Sequence, residues 1–161
     1  MKPRYVIARS RLIPMDAHAL IERLVTPESW PQWQPEIVSV RGPRRLRGGD
    51  VVVGEARMLG FDVGGRAEIL AVEPSAVEHE VVVGIRMRVR YDVTPAEEGA
   101  VLHHRLAADL PGGFWGRILS ALLRRRLRWM QRMVLDNLAS QHMAVATPTP
   151  AAEAPSLGPE G

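Results

Sequence analysis

The chain predicts an α+β protein: a curved antiparallel sheet of seven strands wrapped around one long C-terminal helix, with two short helices after the first strand. Three observations carry that prediction. From Glu36 to Leu110 the apolar residues recur with a period of two, broken at short intervals by Gly and Pro, as in half-buried strands joined by tight turns. From Phe114 to His142 the sequence FWGRILSALLRRRLRWMQRMVLDNLASQH spaces its apolar residues by three and four, as one helical face does. Between Asp16 and Pro35 lie two cap-and-proline signals of short helices.

Tyr5 to Leu12 alternates and reads as the first strand, stopped by Pro14. Asp16 caps a helix that runs to about Val25, with Ala19, Leu20, Leu24 and Val25 on its apolar side. Thr26 and Pro27 open a second, shorter helix that Pro31 limits. The corner WPQWQP follows, with Trp30 and Trp33 three apart; packing anchors are the commoner role for such indoles, and ligand platforms the alternative.

The strands then come in succession. Ile37, Val38 and Val40 mark one, and Gly42 to Gly49 a loop. Asp50–Leu59, Asp62–Glu73, Val77–Val83, Ile85–Val93 and Ala100–Leu110 follow with tight connections. Such a meander is expected to curve and meet the first strand. Alternate residues of a sheet with one covered face line the inside. By apolarity the inward sets are Val77, His79, Val81 and Val83; Met87, Val89, Tyr91 and Val93; and Leu102, His104, Leu106 and Ala108. Glu55 or Arg57 is a further inward candidate. Arg86, Arg88 and Arg90 fall outside, opposite Glu78 and Glu80 on the neighbouring strand, as on a convex solvated surface.

Pro111, Gly112 and Gly113 set the start of the last helix. Its expected buried face holds Trp115, Ile118, Leu119, Leu122, Leu123, Met130, Met133, Val134 and Leu138. Arg126 falls within that face, about 20° from Trp115 at 100° per residue. A guanidinium among leucines needs a partner or water. Either the helix covers a wet cavity at that turn or the long side chain reaches the rim, the simpler outcome. Arg124, Arg125, Arg128 and Arg132 lie on the opposite side. Residues 117–132 hold six arginines and no acid, so this side is a solvated face or a contact for a membrane surface or an acidic protein.

Composition excludes several classes. At 161 residues, 46% hydrophobic and 24% charged, the chain is expected to form one domain over residues 1–143, followed by a disordered Pro/Ala-rich tail over 144–161. The absence of cysteine removes disulfide and thiolate chemistry, and five scattered histidines give no zinc spacing, so neither a metal nor another cofactor is called for. No apolar signal core opens the chain, and a cytoplasmic location is expected. The arginines lack interleaved exposed aromatics, so nucleic acid is not expected as a partner.

The order strand, two short helices, six strands, long helix resembles the helix-grip fold of the START-like (SRPBCC) superfamily. Besides that order, the resemblance rests on the corner Pro27 to Trp33, the strand entry Gly49 to Gly54, the strand Ile69 to Pro74 ending in Val-Glu-Pro, and the helix from Phe114. It covers about residues 3–142. What it implies is a cavity between sheet and helix, and relatives that include lipid-transfer and polyketide cyclase/dehydrase-like proteins. It does not imply one reaction.

The residues point to the same cavity: apolar walls with a few inward polar groups are the usual form of a small-molecule site. The expected ligand-binding set is Trp30, Trp33, Met87, Val89, Tyr91, Leu106, Trp115, Leu119, Leu122, Arg126, Met130 and Met133. Binding, or transport, of a hydrophobic small molecule or lipid is the first reading, with Arg126 or a histidine meeting a carboxylate or carbonyl. The alternative is a polyketide cyclase/dehydratase-like lyase or isomerase, with His79 or His104 as base and Arg126 and Tyr91 as donors. A third reading is a partner-binding module working through the basic helix face.

Overall fold

The computed structural model describes residues 4–145. β1 (Arg4–Ile13) leads into α1 (Ala17–Leu24), a 3₁₀ turn at Pro27–Ser29 and α2 (Trp30–Trp33). β2 (Ile37–Arg41), β3 (Val51–Met58), β4 (Phe61–Glu73), β5 (Ala76–Val83), β6 (Ile85–Ala96) and β7 (Gly99–Asp109) follow, and α3 (Gly113–Val145) closes the described chain. The strands form one sheet in the order β1-β7-β6-β5-β4-β3-β2, antiparallel throughout. The expected tail falls on 144–161, but α3 continues through Val145, and residues from 146 on lie outside the described part.

Capping and hairpin geometry explain the local order. The Asp16 carboxylate accepts from the backbone N–H groups of His18 and Ala19, satisfying two donors that open α1. Leu20, Ile21, Leu24 and Val25 are buried behind it, whereas Ala19 is exposed. The Ser29 hydroxyl donates within the Thr26 turn, and Trp30 Nε1 donates to the Leu24 carbonyl at 3.0 Å, pinning the tryptophan corner onto α1. The 42–49 loop contributes more than a connection: Leu46 is fully buried, and its N–H donates to the Val25 carbonyl.

Two bulges interrupt the pairing, between Ile37 and Ser39 on β2 and between Ile69 and Ala71 on β4. The second turns Leu70 outward. Opposite the first, a Cβ on Gly54 would stand 2.2 Å from the Ser39 carbonyl oxygen, so only glycine lets β2 approach β3 there. β5, β6 and β7 pair without interruption, and their alternation follows the sequence pattern. On the convex side Arg88 binds Glu78 at 2.6 Å, Arg90 reaches Glu78 and Asp92, and Arg86 binds Glu80. The Arg88 hydrogen bond holds the Glu78 carboxyl below its ordinary range.

α3 differs from the sequence expectation in the face it buries. Its inward stripe is Gly116, Ser120, Leu123, Leu127, Gln131, Val134, Leu135 and Leu138. This is turned by about 100° from the stripe centred on Trp115. The reason lies in the first two turns. A Cβ on Gly116 would come within 2.9 Å of Pro111 backbone atoms, and the Ser120 hydroxyl donates to the Pro111 carbonyl. Small residues let the helix lie close against the end of β7, and the large apolar residues are left outside. Further along, Asn137 donates to the Trp33 carbonyl, and Asp136 pairs with Arg11 of β1.

Candidate functional site

The concave face of the sheet and the middle of α3 border a partly open cavity of about 110 Å³. Its walls are the inward residues that alternation supplies: Val52, Ala67, Val81, Val83, Met87, Val89 and Leu106 from β3 to β7. Met130 and Val134 of α3, Trp30 of α2, and Ile37 and Val40 of β2 complete them. Along α3, Leu123 and Leu127 before the lining residues Met130 and Val134, and Leu138 after them, are buried in the core.

The polar groups gather toward two points. At the first, Glu36 sits just before β2, 5% exposed. Its Oε1 accepts from Arg126 Nη2 at 2.7 Å, while the guanidinium lies 4.3 Å from the Trp129 ring centroid. Arg126 is thus held by a carboxylate and an aromatic face, with one-third of its side chain still exposed. Among the described residues, Glu36 Oε2, Gln34 Nε2, His79 Nδ1 and Arg126 Nε are buried without a hydrogen-bond partner, and Glu36, Gln34 and His79 line the cavity. At the second point, Gln131 Nε2 donates to His104 Nδ1 at 2.8 Å and to the His104 carbonyl at 3.2 Å. Donation to a carbonyl fixes the amide orientation, so His104 Nδ1 is the acceptor and its proton sits on Nε2.

Between them the rings of Trp30, His79, Tyr91 and His104 form a continuous run, with centroid separations of 5.6, 5.8 and 4.8 Å. Burial pushes the His79 imidazole down to about 4, against a small opposing pull from Glu78. Burial, with smaller contributions from His79 and His103, pushes His104 down to about 3. The Tyr91 phenol is raised by burial. All three are therefore uncharged at neutral pH.

Trp30, His79, Met87, Val89, Tyr91, His104, Leu106 and Met130 line the cavity. The remaining expected site residues do not. Trp33 is buried in the core, edge-on to Tyr91, with its Nε1 donating to Ser29. Trp115, Leu119 and Leu122 are exposed, because α3 turns its small residues inward. Met133 is half-buried outside the lining, and Arg126 stands behind it, engaged by Glu36. On β3 the inward positions are Val52, Gly54, Ala56 and Met58. Arg57 points out and pairs with Asp62, while Glu55 is exposed but contributes to the cavity lining. Sequence reasoning missed Gln34, Glu36 and Gln131. Gln131 alone carried a signal, standing four residues from Leu127 and three from Val134 on one helical face.

A family model described as polyketide cyclase / dehydrase and lipid transport matches residues 5–142. The chain belongs to this family. No curated protein matches it. Solved structures share the fold at low identity. The protein TTHA0849 from Thermus thermophilus has a TM-score of 0.73 at 16% identity, covering 90% of this chain and 100% of that one. The di-domain ARO/CYC StfQ from the steffimycin biosynthetic pathway has a TM-score of 0.71 at 14% identity, covering 89% of this chain and 52% of StfQ, so this chain spans about half of that protein. A START superfamily protein from Mycobacterium smegmatis has a TM-score of 0.67 at 14% identity, covering 85% and 98%. The architecture is the helix-grip fold of the START-like superfamily. Among the described residues no helix is long and apolar enough to cross a membrane.

Proposed function

We propose that this member of the polyketide cyclase/dehydrase and lipid transport family binds a neutral, largely apolar small molecule that carries hydroxyl or carbonyl groups at one end. The observation that supports this reading is the set of unpartnered buried polar atoms, Gln34 Nε2, Glu36 Oε2 and His79 Nδ1, facing one apolar cavity. Buried groups of this kind normally have partners. A ligand hydroxyl would donate to Glu36 and accept from Gln34, while the valine, methionine and leucine walls hold its apolar body.

An acidic ligand fits less well than the sequence alone suggested. Arg126 is engaged by Glu36, both histidines are uncharged, and Arg66 at the edge of the lining is exposed. A carboxylate placed inside would meet the Glu36 oxygen, while Arg126 lies outside the lining with its charge already paired to Glu36.

The cyclase reading keeps the ring run His79–Tyr91–His104 in its favour. Histidines held near 4 and 3 are weak bases at neutral pH, far from the value that suits a general base there. The binding reading is tested by native mass spectrometry and a thermal-shift screen that pairs neutral phenols, naphthols and benzoquinones, of a size suited to this cavity, with short fatty acids. At a hundredfold excess over Kd, a ligand of the native state adds about 3 kcal/mol, a rise of several degrees. Rises confined to neutral compounds are expected. Rises confined to fatty acids would overturn the neutral-head assignment, and no rise at all would remove the cavity as a binding site.

A further inference from the structure

On the first turns of α3, the side that the core does not use carries an apolar stripe. Phe114 and Trp115 are 74% and 79% exposed, and Ile118, Leu119 and Leu122 continue the same side of the helix over its next two turns, all exposed. Monomer surfaces seldom leave two aromatics and three aliphatic side chains contiguous in water. Beside this stripe stand Arg117, Arg124, Arg125 and Arg128, all exposed, and the helix from Gly113 to Leu135 contains no acid.

The register brings a second apolar group to the same end of the molecule. Met58 pairs with Phe61, Val83 with Ile85, and Arg4 with Asp109, so the β3–β4 tip, the β5–β6 turn and the β7–α3 junction share one end of the sheet. At that tip Leu59 is exposed and Phe61 is 74% exposed. The neighbouring Asp62 is neutralised by Arg57.

We infer that this end of the molecule, the N-terminal half of α3 with the Leu59–Phe61 tip, docks onto an anionic phospholipid bilayer. An exposed helix with Trp, Phe and Leu on one side and arginines along its border is built to lie in the interfacial layer, its rings among the acyl chains and its guanidinium groups at the phosphates. A second copy of the chain is a poor occupant, since a two-fold contact on this face would bring the two arginine rows together. The inference rests on exposure and charge and does not depend on the cavity being filled. If the cavity carries an apolar molecule, the bilayer is the phase that would supply or receive it.

Flotation of the full chain with vesicles tests this, comparing pure phosphatidylcholine with phosphatidylcholine containing about 30% phosphatidylglycerol. Binding to the anionic vesicles alone is expected, weakening as salt is raised. Trp115→Ala with Leu119→Ala, and separately Arg124→Glu with Arg125→Glu, should each reduce it at least about tenfold. Unchanged thermal unfolding of both variants verifies that the fold is intact. Absence of binding to anionic vesicles, or binding indifferent to both double substitutions, would overturn the inference. So would a dimer seen by sedimentation that Trp115→Ala dissolves while vesicles remain unbound.

Discussion

Acidification is the perturbation that reads the buried histidines most directly. His79 and His104 are 4% and 3% exposed, and burial holds them down to about 4 and about 3. An unfolded histidine takes its proton at about 6.5. Between those values the unfolded chain binds more protons than the folded one. The contribution is therefore fully present above about pH 6.5 and falls away as pH drops toward the folded values. At pH 5 each histidine costs about 2 kcal/mol relative to pH 7, and the pair about 4 kcal/mol. That is a large part of the 5–15 kcal/mol or so that a domain has. Urea denaturation at pH 7 and pH 5 measures it. Comparison with His79→Phe and His104→Gln cancels the titration of the surface carboxylates, and each substitution should remove about half of the drop. Wild-type stability that stays flat between pH 7 and 5, or a drop that neither substitution changes, would refute the reasoning. It would also return the histidines to consideration as bases.

Three further outcomes are expected. Arg126→Met strands the Glu36 carboxylate and should cost about 2–3 kcal/mol, discounted because Arg126 is one-third exposed; adding Glu36→Gln should recover much of the loss in thermal denaturation. Trp33→Ala should cost about 3–5 kcal/mol, whereas Trp115→Ala, on the exposed side of α3, should change stability by less than about 0.5 kcal/mol; equal costs would contradict the orientation of that helix. Val81→Trp should fill the cavity, abolish binding of any thermal-shift hit and cost about 1–3 kcal/mol; a folded variant that binds as before would place the ligand elsewhere.

The sheet was legible where a strand is uninterrupted. On β5, β6 and β7 the assignment of His79, Tyr91 and His104 to the inner face follows from alternation, because no bulge shifts their register. α3 was legible as a helix but not in its rotation. Apolarity selects Trp115, Leu119 and Leu122, whereas contact with Pro111 selects Gly116 and Ser120, and a contact between segments leaves no trace in periodicity. Arg126 announced that a partner was needed. The partner, Glu36, lies 90 residues earlier in the sequence at a strand entry where a charged residue ordinarily reads as exposed. Leu46, buried from within a basic Gly/Pro-rich loop, escaped for the same reason.

The central claim is that a neutral ligand enters the space between sheet and α3, and methionine methyl resonances test it most directly. Met87 and Met130 line the cavity, while Met15 and Met133 do not. Titration with 2-naphthol should shift the Met87 and Met130 methyls and leave Met15 and Met133 in place, and 2-naphthoate at the same concentration should shift none of them. Shifts confined to Met133, or equal responses to the alcohol and the acid, would contradict the account.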